Sequence, residues 1–314
     1  MFLEGYFYGV KFSLKYIIGL MIFTVPYYGF SQAVFLKNNK SNHRNVSWAD
    51  SVFKTLTPDQ RIGQLFMVAA YSNYKSDPIL LRKLVDSCGI GGLIFFQGGP
   101  KRQAVLTNYY QSLSKVKMLI AIDGEWGLNM RLDSTEQYPR QMTLGAIPKS
   151  ADSLIYKMGK SIAKECKRLG IHINFAPVVD INNNPSNPVI SSRSFGENKE
   201  MVMQKSLLYM KGMQDEGVLA CGKHFPGHGD TESDSHKTLP LISHSKKTID
   251  TLDLYPFKEL FKNGLGSVMV AHLFIPALDT STNTASTLSP KIVNKLLKKD
   301  LKFDGLVFTD ALNM

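Results

Sequence analysis

Seven short, almost continuously apolar runs, each followed by helix-patterned chain, constrain this sequence more than any other feature. They are QLFMVAA (64–70), GLIFF (92–96), MLIAID (118–123), HINFAPVV (172–179), VLACGK (218–223), SVMVAH (267–272) and LVFT (305–309 with its leading Gly). A strand with no polar face is buried on both sides, as in a parallel sheet covered by helices. Between the runs, Ile155, Met158, Ile162, Cys166 and Leu169 recur at helical spacing and stop at Gly170. Ser289-Pro290 opens a second such segment, with Ile292, Val293, Leu296 and Leu297 on one face. Thr57-Pro58-Asp59-Gln60 is a capping box with proline at the first helical position, so a helix starts there. Strand–helix alternation predicts an α/β fold of βαβ units, either a closed (β/α) barrel or an open doubly wound sheet. No GxGxxG follows the first run, which argues against the dinucleotide-binding form of the open sheet.

The 314 residues carry 37 Lys+Arg against 26 Asp+Glu, a formal net charge of +11. That balance suits an anionic polymer as neighbour without choosing which one. Cys88, Cys166 and Cys221 are far apart with no CxxC, which excludes a disulfide scaffold and a thiolate zinc site. The first 33 residues read as a cleaved signal peptide: Lys11 and Lys15 precede an apolar run from Tyr16 to Val25, and Ser31-Gln32-Ala33 supplies small residues for an export peptidase. The run falls short of the roughly 20 apolar residues that span a bilayer. Membrane association is expected only if this segment stays uncleaved. Residues 34–47 read as a polar linker, and 48–314 as one barrel domain. The expected location is exported, in the periplasm or cell envelope.

Asp123, Asp180, His224, His272 and Asp310 all fall at or just beyond the C-terminal end of a predicted strand. One such Asp is most simply the N-cap of the next helix. Five point to the face of a barrel where strand ends converge and active sites are built. The densest chemistry lies in KHFPGHGDTESDSHKTLP, Lys223 to Pro240. Its Asp234 and His236 are one residue apart, so in extended chain both project to one side. The carboxylate can then hold one imidazole nitrogen and leave the other for proton transfer near neutral pH.

KHFPGHGDT followed by DSH resembles the signature of glycoside hydrolase family 3, specifically its β-N-acetylglucosaminidase (β-hexosaminidase) branch. IGQLFM, GGLIFF, NFAPVVD, SRSFG, VMVAH and FTDALNM appear in that family's order, from about residue 50 onward. The resemblance implies a (β/α)8 TIM-type barrel and a retaining mechanism. In that mechanism Asp310 is the nucleophile and His236, oriented by Asp234, the general acid/base. A retaining pair stands roughly 5–5.5 Å apart, and a neutral imidazole places less negative charge beside the nucleophile than a second carboxylate would. Asp123, Arg131, Arg193, Lys223 and His224 are implied as sugar-binding residues, with His272 as a wall of the pocket. The family's usual Asp-x-Glu-Gly-Gly-Arg is altered here by Trp126 and Asn129, so substrate preference is less constrained than reaction type. The implied substrate is a terminal β-linked N-acetylglucosamine of peptidoglycan fragments, with no cofactor, no metal and no nucleic-acid partner.

Three other readings remain open on residues alone. His224, His228, Asp230, Asp234 and His236 could ligate zinc, although their spacing matches no HExxH helix or finger. The pocket could bind glycan without turnover, or the enzyme could be a β-glucosidase. The nucleophile strand is the family's seventh and the sequence stops four residues past Asp310, so an eighth strand and helix are expected beyond Met314. The Met201–Met213 segment reads as core filling, Lys298, Lys299 and Lys302 as a solvated helix end, and His43 and His244 show no partner.

Overall fold

The computed structural model describes residues 42–233 and 238–312, with side chains from residue 48 onward. The expected signal peptide at 1–33, the His43 side chain, Asp234 and His236 lie outside the described residues. Seven strands form one sheet in chain order, every neighbouring pair parallel. They are β1 (Met67–Ser72), β2 (Gly92–Gly98), β3 (Leu119–Ile122), β4 (Ile173–Asn174), β5 (Leu219–Phe225), β6 (Ser267–Val270) and β7 (Leu306–Thr309). Helices Pro78–Lys83, Pro100–Leu113, Ser153–Arg168, Lys199–Asp215, Leu254–Lys262 and Lys291–Asp300 fill the successive crossovers. This is a (β/α)8-type barrel present through its seventh strand. Among the described residues β1 and β7 each have a single strand neighbour.

The sheet is strongly curled. Phe175, just past β4, and Phe308 in β7 pair edge-to-face with ring centroids 5.1 Å apart. Strands three positions apart in a flat sheet would be about 14 Å apart at about 4.8 Å per strand. Their rings belong to an inner apolar cluster with Ala121, Ile173, Cys221 and Met269, packed about by Met67, Ile94, Leu119 and Leu219. A second, larger cluster lies between the sheet and its helices. Both strand faces are therefore buried, the reason the runs carry no polar alternation.

Local rules set the element ends. Thr57 and Gln60 form the expected capping box ahead of Pro58–Gly63, and that helix with its turn delays β1 to Met67, three residues later than the apolar run begins. The run at 172–179 yields only a two-residue strand. Pro177 has no N–H to donate to a ladder, and beyond it a lone bridge joins Val178 to Lys223. The Ser153–Arg168 helix ends before Gly170, which takes φ +71°. Ser289 Oγ accepts from the Ile292 amide at 3.3 Å and opens Lys291–Asp300. The first described helix, Asn42–Thr55, takes in the end of the polar stretch. Among the described residues no helix is long and apolar enough to cross a membrane.

Two glycines let the Ser153–Arg168 and Lys199–Asp215 helices touch backbone to backbone. A methyl on Gly212 would strike the Tyr156 carbonyl oxygen, and one on Gly159 would meet that of Tyr209. The close approach seats Tyr209, fully buried, so that its hydroxyl donates to the Gly124 carbonyl at 3.0 Å. Gly212→Ala gains up to about 1 kcal/mol of helix propensity but collides with a carbonyl that cannot step aside. A net loss of about 1–3 kcal/mol is expected in urea or thermal melts; wild-type stability would contradict this packing.

Candidate active site

The period of two along each strand carries side chains from an apolar floor to a charged rim. On β3 the sequence is Leu119, Ala121, then Asp123 and, two further on, Glu125. On β5 it is Leu219, Cys221, Lys223, and on β7 Leu306, Phe308, Asp310. Leu119, Ala121, Leu219, Cys221 and Phe308 pack in the inner cluster, and Asp123, Glu125, Lys223 and Asp310 line one cavity of about 1140 Å³. Arg131, Arg193, His224 and His228 line it too.

Lys223 is the hub. Its ammonium donates to Asp123 Oδ1 at 2.9 Å and lies 2.8 Å from Glu125 Oε1. Arg131 donates to the other Asp123 oxygen at 2.7 Å. Arg193 grips Glu125 with two bonds, Nη2 to Oε1 at 2.7 Å and Nε to Oε2 at 3.0 Å. Burial would raise the Asp123 and Glu125 carboxyls, but Lys223 with Arg131 for the first and with Arg193 for the second outweighs it. Both are held below the usual carboxylate range, Glu125 far below. Lys223 is held above its ordinary value, since the same two carboxylates overcome the opposing effect of burial. The Arg131 Cζ stands 4.8 Å from the Phe96 ring centroid, and its Nε is buried without a protein acceptor.

Asp180 organises the start of the 223–240 loop. Its carboxylate accepts from the backbone N–H of His224 at 3.1 Å and of His228 at 2.7 Å, and lies 2.7 Å from His224 Nδ1. With Nδ1–H directed at Asp180, His224 Nε2 is left as an acceptor facing Arg193 Nη2 at 3.3 Å. The β5–β6 ladder skips His224, pairing Lys223 with Met269 and Phe225 with Val270. This irregularity lets consecutive residues Lys223 and His224 face the same cavity. Burial and the neighbouring His224 push the His228 imidazole down to about 4, so it is neutral at pH 7.

The structure thus brings together Asp123, Arg131, Arg193, Lys223, His224 and Asp310. It does not bring His272 to the cavity wall. The His272 ring is held between Thr287 Oγ1 at 2.7 Å and the Ala311 carbonyl at 3.0 Å, where it steadies the residue after Asp310. His244 has partners after all: Asp253 at 2.8 Å from Nδ1 and Asp230 at 2.9 Å from Nε2. Glu125 was not singled out from sequence, although it follows Asp123 by two in a strand-period pattern. Asn174 was also missed; its side chain accepts from the Gly124 N–H at 2.7 Å and donates to the Gly124 carbonyl at 3.1 Å, fixing the peptide between the two carboxylates. Among the described residues no cluster of three His, Cys, Asp or Glu is placed to hold a metal ion.

The sequence from residue 57 to 314 matches the model of the glycosyl hydrolase family 3 N-terminal domain. The chain belongs to glycoside hydrolase family 3. Among similar proteins, β-hexosaminidase A of Pseudoalteromonas piscicida is 40% identical over 76% of this chain and 43% of its own length. The β-hexosaminidase of Neisseria meningitidis serogroup C is 34% identical over 74% of this chain and 66% of its own. A solved family 3 β-N-acetylglucosaminidase from a Paenibacillus species superposes with a TM-score of 0.76 at 39% identity, covering 82% of this chain and 50% of that one. The chain therefore spans between about two-fifths and two-thirds of the relatives' lengths.

Because the Asp123, Glu125 and Asp180 carboxyls titrate lower folded than unfolded, their stabilising contribution is present above about pH 4 and lost as pH falls through and below that value. Lys223→Met leaves Asp123 and Glu125 undercompensated. It is expected to cost about 3–5 kcal/mol at pH 7 and to flatten the stability loss between pH 5 and 3. Urea melts across that range check both; a curve parallel to wild type would contradict the hub role.

Proposed function

We propose that the protein is a retaining β-N-acetylglucosaminidase that removes terminal β-linked N-acetylglucosamine from peptidoglycan fragments in the cell envelope. The observation carrying the proposal is that Asp310, at the end of β7, lines the same cavity as the Asp123–Lys223–Glu125–Arg193 network and Arg131. The names of the relatives and the KHFPGHGDT…DSH stretch support the sugar and the acid/base.

In this reading Arg131, Lys223 and Asp123 orient hydroxyls of the terminal sugar, a positioning effect that turns binding into reactive geometry. The Asp310 carboxylate attacks the anomeric carbon and the glycosidic C–O bond breaks. His236, supported by Asp234, delivers a proton to the departing oxygen. Water then gives a proton to His236 while its oxygen displaces Asp310, regenerating both groups. The three cations Arg131, Arg193 and Lys223 balance the carboxylates Asp123, Glu125 and Asp310. The site is thereby left without a strong net charge of either sign.

The test is release of nitrophenol from the β-N-acetylglucosaminide against the β-glucoside, with and without phosphate, by protein expressed from its complete reading frame. Preference for the N-acetylglucosaminide, independent of phosphate, is expected. Preference for the glucoside would overturn the sugar assignment, and dependence on phosphate the hydrolytic one. His236→Ala should lower both glycosylation and deglycosylation by about 10²–10⁴-fold. Full activity in that variant would remove the imidazole from the mechanism.

A further inference from the structure

The loop that begins at Lys223 is fastened twice on its way out of the barrel. Asp180 holds the His224 and His228 amides, and Asn187 donates to the His228 carbonyl at 2.8 Å. Past that point the fastening passes to a trio. His244 Nε2 lies 2.9 Å from Asp230 Oδ2, and His244 Nδ1 lies 2.8 Å from Asp253 Oδ2. The imidazole is 15% exposed and Asp253 is 7% exposed, so the Asp253 contact is shielded from water.

Each member comes from a different part of the chain. Asp230 sits at the outgoing end of the loop. His244 follows its return, where the Phe274 amide donates to the Pro240 carbonyl at 2.8 Å and the Ile242 amide to the Phe274 carbonyl at 2.9 Å. Asp253 immediately precedes the Leu254–Lys262 helix of the barrel's outer layer. It also packs against the outgoing end: a Cβ on Gly227 would sit 2.8 Å from Asp253 Cβ. A single imidazole thus ties both ends of the loop to each other and to a fixed helix. Between those ends the sequence carries Asp234 and His236.

We propose that His244 is a positioning residue, a clamp that through Asp230 and Asp253 fixes where the 230–244 loop leaves and rejoins the barrel. Both ring nitrogens face carboxylate oxygens, so the trio must share protons. Burial pushes the Asp253 carboxyl up to about 6, partly offset by His244, with Asp230 and Asp180 adding to the rise. The geometric clamp stands independently of the reaction; its consequence for turnover rests on the glycosidase reading above.

The experiment compares wild type, His244→Ala and Asp253→Asn, each from the complete reading frame. Asparagine retains an oxygen to accept from His244 Nδ1. In His244→Ala, amide exchange at Gly227–Asp230 and Ile242–Ser245 should speed up at least about tenfold, with exchange at Ile120–Glu125 unchanged. For the nitrophenyl β-N-acetylglucosaminide, kcat should fall about 10²-fold, as misplacement by an ångström costs. KM should stay within about twofold. Asp253→Asn should keep exchange and kcat within about threefold of wild type. Unchanged exchange in His244→Ala would overturn the clamp, even if wild type proves inactive on this substrate. Faster exchange with undiminished kcat would overturn the positioning role. Parallel losses of kcat, KM and melting temperature would overturn it as well, leaving a purely structural histidine.

Discussion

A lysine ammonium buried between two carboxylates is the constraint on which this site depends. Lys223 projects from β5 into the curled sheet, and without Asp123 and Glu125 from the end of β3 its charge could not remain there. Those carboxylates need more than one cation, and Arg131 and Arg193 supply the remainder. The network thereby ties the β3 loop, the 190s segment and β5 into a single rigid rim. A pocket built from opposed charges at 2.7–2.9 Å has little freedom to rearrange, which favours orienting a polyhydroxylated ligand over adapting to many.

The charges reach that rim through the plainest property of a strand. Inward positions two residues apart are apolar at the bottom of the sheet and ionisable at the top, and the curl turns all of them toward one space. The outer layer serves the same end at a distance. Gly159 and Gly212 allow two helices to close, their closeness places Tyr209, and Tyr209 with Asn174 pins Gly124 between the two acidic residues. Helix packing and pocket geometry are in this way one chain of contacts.

Strand number and two helix starts were legible because each rests on local pattern: apolar runs, a capping box, Ser289-Pro290. Strand order was not, since those runs alone fit both a closed barrel and an open doubly wound sheet. The strand-end residues Asp123, Asp180, His224 and Asp310 were legible because parallel barrels put chemistry at those ends. The shortness of β4 follows from Pro177, a signal available in the sequence but outweighed there by the apolar run around it. Glu125 and His244 were obscured because their importance lies in partners far along the chain: Arg193 for one, Asp230 and Asp253 for the other. His272 satisfied the strand-end rule, yet Thr287 and the Ala311 carbonyl occupy both of its nitrogens. Position at a strand end says that a side chain can reach the rim; only tertiary contacts decide whether it is free to act there.

The central claim, that the alternation of β7 delivers Asp310 as the nucleophile of a charged sugar pocket, is tested most directly by trapping. Incubation with a fluorinated N-acetylglucosaminyl fluoride, which forms a glycosyl-enzyme faster than it hydrolyses, should add one sugar to the intact mass. Peptide mapping should place that sugar on Asp310. Turnover of the reagent with the sugar attached to another carboxylate, or with none attached, would contradict the account.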